Sequence, residues 1–301
     1  MMQRRQLLRT LAIAGIGSVI PRPLQALRLG KGALQFLVVG DWGTGGALQR
    51  AVAAGMATVA ASKLLDAILS VGDNIYTNGV DSVDDPQWQT KFERIYAAPA
   101  LAVPWWAILG NHDYRGSVTA QIDYHRKNPR WNMPATYWRH TFRTDDDVTS
   151  VDVLGLDTQQ LLTKATGWQQ QVAWVEQTLG TSTARWRFVL GHHPMRSYGH
   201  YGDTPVLVRE IQPILNRHAA DMYVSGHDHD LQVIRHPDDS FLSAVSGAGG
   251  GVRKTQQGSH SLFAAAHGGF MSLSVDARHL DLHVHRADGA IVHHVRRQPR
   301  P

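Results

Sequence analysis

Short apolar runs that break off in polar corners recur along this chain. The run at 34–43 (LQFLVVGDWG) breaks at Asp41, 66–74 (DAILSVGDN) at Asp73, and 103–113 (VPWWAILGNHD) at Asn111. Further on, 186–194 (WRFVLGHHP) breaks at His192 and 220–230 (ADMYVSGHDHD) at His227 and His229. These runs are short, rich in β-branched and aromatic residues, and bounded by turn formers, so each predicts a strand. Between them, 46–64, 86–97, 168–179 and 205–219 have helical character. Strand alternating with helix is the pattern of an α/β protein with a substantially buried sheet.

Beyond residue 230 the pattern changes. The segments 231–236, 240–250, 270–277 and 279–297 read as consecutive strands, the last pair closed by a turn at Asp288-Gly289. They predict a second sheet packed on the first within a single domain, 27–301, because no long linker divides the chain. His283, His285, His293 and His294 crowd the final hairpin, and with no carboxylate at matching spacing an exposed strand face explains them better than a metal site.

Composition changes the picture in two places. The chain has 301 residues, 43% of them hydrophobic, enough for a full core, and a net charge of +5 that would suggest a polyanionic partner. Six basic residues, however, precede the first acid, Asp41, and without them the charge is −1. The body is near neutral, and no nucleic-acid partner is expected. The basic start, MMQRRQLLRTLAIAGIGSVIPRPLQA, pairs Arg4 and Arg5 ahead of a small apolar run ending at Ile20. That run is too short to span a bilayer, and it resembles a twin-arginine export signal over residues 1–26, which implies transient contact with the export machinery and a periplasmic or secreted product. Cysteine is absent, so disulfides, thiolate ligands and cysteine nucleophiles are all excluded.

The chemistry then rests on oxygen and imidazole donors, which suit hard or borderline cations. Any one corner has an ordinary explanation: Asp41 as a helix cap, Asn111 as a loop residue capping its own backbone, His192 as a satisfied core histidine. His227 and His229 are more telling, because residues two apart in an extended segment face the same side. Five such strand ends together carry more donors than one metal needs, and a shared carboxylate would let two ions use them.

In this order the words GD, GDxxY, GNHD, VxxH and GHxH resemble the calcineurin-like metallophosphoesterases, and within them the purple acid phosphatases of the small, tartrate-resistant type. The similarity covers roughly 34–250, including LDT at 156–158 and SGAG at 246–249. Most of the superfamily opens with Asp-x-His, whereas this chain has Asp41-Trp42-Gly43 and instead carries Tyr76 in the purple acid phosphatase position. The resemblance implies a four-layer α/β/β/α sandwich of two mixed sheets and a dinuclear metal centre. A ferric iron would be held by Asp41, Asp73, Tyr76 and His229. A divalent iron, zinc or manganese would be held by Asp73 as the bridge, Asn111, His192 and His227. His193 falls at a variable position. His112 matches the histidine that contacts the substrate phosphate or its leaving group, and His200 a second such histidine at a spacing one residue shorter.

The implied reaction is hydrolysis of small phosphate monoesters. A ferric ion acidifies water so that hydroxide attacks in line, and a protonated His112 or His200 donates to the leaving oxygen at mildly acidic pH. A phosphodiesterase or nucleotide hydrolase using the same metals is the alternative, and a metal- or phosphate-binding module without catalysis the third reading. Trp42, Asn78, Arg115, Tyr198 and His200 are candidates to line the pocket. The short spacing from Asp157 to Trp168 predicts a more open site than in mammalian relatives. No heptad or isolated apolar stripe singles out an oligomer interface.

Overall fold

The structure, a computed structural model, describes residues 32–300. The proposed export signal therefore lies outside the described residues. In chain order the strands are β1 (Leu34–Val39), β2 (Ala67–Ser70), β3 (Trp105–Ala107), β4 (Trp131–Asn132), β5 (Trp138–Arg143), β6 (Ser150–Gly155) and β7 (Trp186–Leu190). They continue with β8 (Met222–Ser225), β9 (Leu231–Ile234), β10 (Leu242–Ser246), β11 (Ser261–Ala265), β12 (Gly269–Val275), β13 (Leu280–Arg286) and β14 (Ile291–Arg297). The α-helices are α1 (Ala47–Ala61), α2 (Val118–Asp123), α3 (Thr158–Thr163), α4 (Trp168–Gly180), α5 (Pro205–Glu210) and α6 (Gln212–Arg217).

Side-chain alternation builds the layers. From β1, Phe36 and Val38 point into a core shared with Phe188 and Leu190 of β7, while Leu37 and Val39 point the other way, against Val52 and Met56 of α1. In β7 and β8, Val189 and Tyr223 face outward onto Leu161, Val175, Leu179 and Leu207 from α3, α4 and α5. Because a strand turns successive side chains to opposite faces, each sheet is buried on both sides. The result is helix, sheet, sheet, helix, as the resemblance implied. One sheet runs β14-β13-β12-β1-β2-β3-β4 and the other β11-β9-β10-β8-β7-β6-β5.

The last third does not form a sheet of its own. Strand β12 pairs antiparallel with β1, from Leu34 opposite Val275 to Val38 opposite Met271, so β12, β13 and β14 complete the first sheet. Strands β9, β10 and β11 join the second, whose other strands come from the middle of the chain. Local periodicity carries no information on which edge a strand completes. The helix expected at 205–219 is broken after Glu210, and Pro213 in the first turn of α6 accounts for the break, having no N–H to continue the ladder. At 86–97 the helical core is a single wide turn, Trp88–Glu93, whose Trp88 and Phe92 pack under the first sheet.

The histidine-rich hairpin is only partly an exposed face. His294 pairs with Asp281 at 2.7 Å and stacks on His283. His285 is buried against Phe270, with its Nε2 2.9 Å from Ser272 Oγ, which the one-dimensional reading missed. Among the described residues, no helix is long and apolar enough to cross a membrane.

Candidate metal centre

Strands β1, β2 and β3 are parallel neighbours, as are β6, β7 and β8, so their carboxyl ends open along common edges. The loops that follow carry Asp41, Asp73, Asn111, His192, His227 and His229. Three of these are bent sharply: Asp41, Asp73 and His227 have φ of 57°, 49° and 67°. Left-handed backbone costs a non-glycine residue roughly 1 kcal/mol or more, and such residues cluster where a site demands a particular aim. Glycines make room for them. A Cβ on Gly110 would lie 2.2 Å from Asp73 Oδ1, and one on Gly72, itself at φ 90°, 2.7 Å from His192 Nδ1.

The donor atoms sort into two groups with one atom in common. Tyr76 Oη lies 2.9 Å from Asp41 Oδ1, 2.9 Å from Asp73 Oδ2 and 3.1 Å from His229 Nε2. His229 Nε2 is also 3.4 Å from Asp41 Oδ1, which closes the first group. Asp73 Oδ2 is in turn 3.4 Å from His192 Nε2, and that nitrogen is 3.3 Å from Asn111 Oδ1. His227 supports both: its N–H donates to Asp41 Oδ2 at 2.9 Å, and its ring lies 5.1 Å from that of His192. The imidazole of His227 makes no direct bond to the other donors, whereas the remaining six residues are linked in one chain of contacts that passes through Asp73.

Charge explains what the pocket can hold. Asp41, Asp73 and His192 are buried, with ligand atoms within 4.8 Å of one another. Burial would lower the His192 pKa, but the carboxylates of Asp73 and Asp41 outweigh it and hold the group up at about 10. Burial also opposes ionisation of Asp73, yet His192 and the His112 N–H, 2.8 Å from Oδ1, keep its carboxyl well below the usual range. Burial, and then the two carboxylates, push the Tyr76 phenol far up. The pocket thus asks for positive charge, and a bound cation would reverse the direction for the phenol. For His227, burial and then His192 and His193 hold the imidazole down at about 2, leaving it neutral with a free lone pair. His192 Nδ1 donates to the Val71 carbonyl at 2.9 Å, which aims Nε2 at Asp73 and Asn111, where its lone pair would serve a cation that displaces the proton. This set of carboxylate, phenol, amide and imidazole donors fits two cations sharing Asp73.

His112 sits beside the donors. Its Nδ1 donates to the Thr77 carbonyl at 2.6 Å, its Nε2 is 4.0 Å from Asp73 Oδ2, and its ring packs on Tyr76. His200 is not brought to the donors. It is exposed and touches the ring of Tyr201, and it is Tyr201 that stacks on His227, centroids 4.1 Å apart. Trp42 is fully buried with Nε1 donating to Ser70 Oγ, and Tyr198 packs against Gly258, so neither lines the pocket. Asn78 and Arg115 are exposed. His193 stays off the donor set, its Nδ1 2.8 Å from Thr158 Oγ1. The sequence reading missed Tyr201, Arg253 and Asp113. A signal for Arg253 was present, since the glycine run 249–251 follows another strand ending at the same edge.

The chain matches the calcineurin-like phosphoesterase family over residues 34–231. Purple acid phosphatase 3 of Arabidopsis thaliana is 34% identical over 282 residues, covering 87% of this chain and 77% of that protein. Tartrate-resistant acid phosphatase type 5 of Sus scrofa is 35% identical over 238 residues, covering 72% of this chain and 69% of that one. Among solved structures, GAP50, described as the anchor in the inner membrane complex of Plasmodium, matches with a TM-score of 0.81 at 22% identity, over 89% of this chain and 90% of that one. At that identity the likeness concerns the fold alone.

Proposed function

The chain belongs to the calcineurin-like phosphoesterase family, among the relatives of the purple acid phosphatases, and we propose that it is an exported acid phosphatase acting on small phosphate monoesters through a dinuclear metal centre. In this reading Asp41, Asp73, Tyr76 and His229 hold a ferric ion, and Asp73, Asn111, His192 and His227 hold a divalent iron, zinc or manganese. When bound, the two cations supply an acidified water and neutralise the phosphoryl oxygens. The chain's own groups do the rest. Asp73 presents one oxygen to both donor groups and is kept from swinging by the His112 N–H. Because Thr77 fixes Nδ1 of His112 as a donor, Nε2 is the atom left to carry a proton to the leaving oxygen. His200, exposed and separated from His227 by Tyr201, can serve only a substrate that reaches beyond the donors.

The observation that carries this reading is the triple contact of Tyr76 Oη with Asp41, Asp73 and His229. A phenolate there favours the oxidised state of the metal and would colour the protein. The test is the visible spectrum and metal content of the purified protein beside Tyr76→Phe. A coloured protein with about two metals per chain, bleached in the variant, is expected under two-metal catalysis. A colourless wild type that cleaves only bis-esters would support the phosphodiesterase alternative. Export to the periplasm or beyond rests on the Arg4-Arg5 segment, and fractionation of cells expressing the protein with Arg4 and Arg5 changed to Lys tests it.

A further inference from the structure

Tyr201 lies nearly parallel to the His227 imidazole, at 22°, and Arg253 places its guanidinium carbon 5.1 Å from the centre of the same tyrosine ring. The backbone brings the arginine there. Its loop runs close against the centre, since a Cβ on Gly251 would sit 2.9 Å from His229 Nδ1, and the Arg253 N–H donates to the His229 carbonyl at 2.8 Å. Arg253 is therefore tied by its main chain to one candidate ligand and, through Tyr201, to another.

Its charge is left over. The guanidinium has one long polar contact, Nη1 to the His227 carbonyl at 3.5 Å, and among the described residues no carboxylate pairs with it. Three other arginines with little exposure are neutralised by carboxylates, Arg130 by Glu93 at 3.0 Å, Arg196 by Asp239 at 2.9 Å and Arg300 by Asp221 at 2.6 Å, while Arg187 spends its guanidinium on the carbonyls of His218 and Ser182 at 2.6 and 2.7 Å. A partly buried guanidinium held in place by a ring and its own backbone, without an anion, offers a planar fork to one that arrives from outside.

We propose that Arg253 is a specificity-determining residue that selects substrates whose leaving group carries a second anion, a phosphate or a carboxylate, close to the scissile phosphate. The proposal rests on the phosphatase reading above. A phosphoryl group held by the donors around His227 has Tyr201 as its neighbouring wall and Arg253 against that wall. A neutral leaving group makes no use of the guanidinium, whereas an anionic one gains a charge-assisted hydrogen bond.

The experiment compares the full-length, metal-loaded protein with Arg253→Ala and Arg253→Lys on inorganic pyrophosphate, phosphoglycolate and phenyl phosphate. Calorimetric binding of methylenediphosphonate and methylphosphonate gives a readout independent of turnover. Loss of one such bond predicts that Arg253→Ala loses on the order of 10- to 100-fold in kcat/KM on pyrophosphate and phosphoglycolate, whose leaving groups carry an anion, and a far smaller factor on phenyl phosphate, whose leaving group carries none. Its preference for the diphosphonate should shrink by a similar factor, with Arg253→Lys recovering part of it. A loss confined to pyrophosphate, or to phosphoglycolate, supports the proposal and identifies the anion. An equal loss on all three substrates, or none, overturns it, the first because Arg253 would then only brace Tyr201. A wild type that hydrolyses none of them refutes the phosphatase reading instead, while the phosphonate preference still reports on Arg253.

Discussion

Asn74 donates to Asp113 through both its backbone N–H and its side-chain amide, each at 3.1 Å. The same carboxylate accepts the Gly110 N–H at 2.8 Å, the Ile75 N–H at 3.3 Å and Gln121 Nε2 at 2.7 Å. One fully buried side chain thus clamps the loop that carries Asp73 and Tyr76 to the loop that carries Asn111 and His112. Burial, followed by repulsion from Asp73, raises the Asp113 pKa to about 6 despite these donors.

Replacing Asp113 by Ala would leave several buried N–H groups without an acceptor. We expect a loss of about 3 kcal/mol or more in unfolding free energy, read by urea denaturation, with Asp113→Asn losing less because it keeps an acceptor oxygen. Wild-type stability in Asp113→Ala would mean that the loops are held by something else.

Proton donation from His112 predicts a dependence on the leaving group. In His112→Ala, hydrolysis of an alkyl phosphate should fall by about 10²- to 10⁴-fold, because an alkoxide needs the proton. Hydrolysis of p-nitrophenyl phosphate, whose leaving group departs as a stable anion, should fall far less. Equal losses on both would assign His112 to binding alone.

The histidine-rich hairpin should limit tolerance of acid. Burial, then the charges of His294 and Lys63, lowers the His283 pKa from 6.5 to about 4, and burial lowers His285 and His293 as well. With the folded pKa below the unfolded one, the folded state binds fewer protons between these values. The stability that neutral His283 contributes is complete above pH 6.5 and is lost as pH falls toward 4. Thermal midpoints measured across that window should drop for the wild type and drop less for His283→Gln. Parallel curves would show that this histidine is not responsible.

The corners that bear Asp41, Asp73, Asn111, His192, His227 and His229 were legible in one dimension because each depends on local facts. A short apolar run makes a strand, the strand must end, and a donor side chain stands at the end. Tyr76 was read through the resemblance to the purple acid phosphatases, since Gly-Asp followed by a tyrosine three residues on is by itself an ordinary turn, and the packed structure is what brings its hydroxyl to Asp41, Asp73 and His229. The alternation of strands and helices marked the α/β class. Partnership over distance was not legible. Nothing local tells β12 to pair with β1 rather than join the strands just before it, since that choice depends on which apolar faces remain to be covered once both sheets meet. The same holds for charge. Whether Asp113 is a clamp, His285 a core residue or Arg253 an unpaired cation depends on what lies within a few ångströms, and only the packed structure brings those neighbours together.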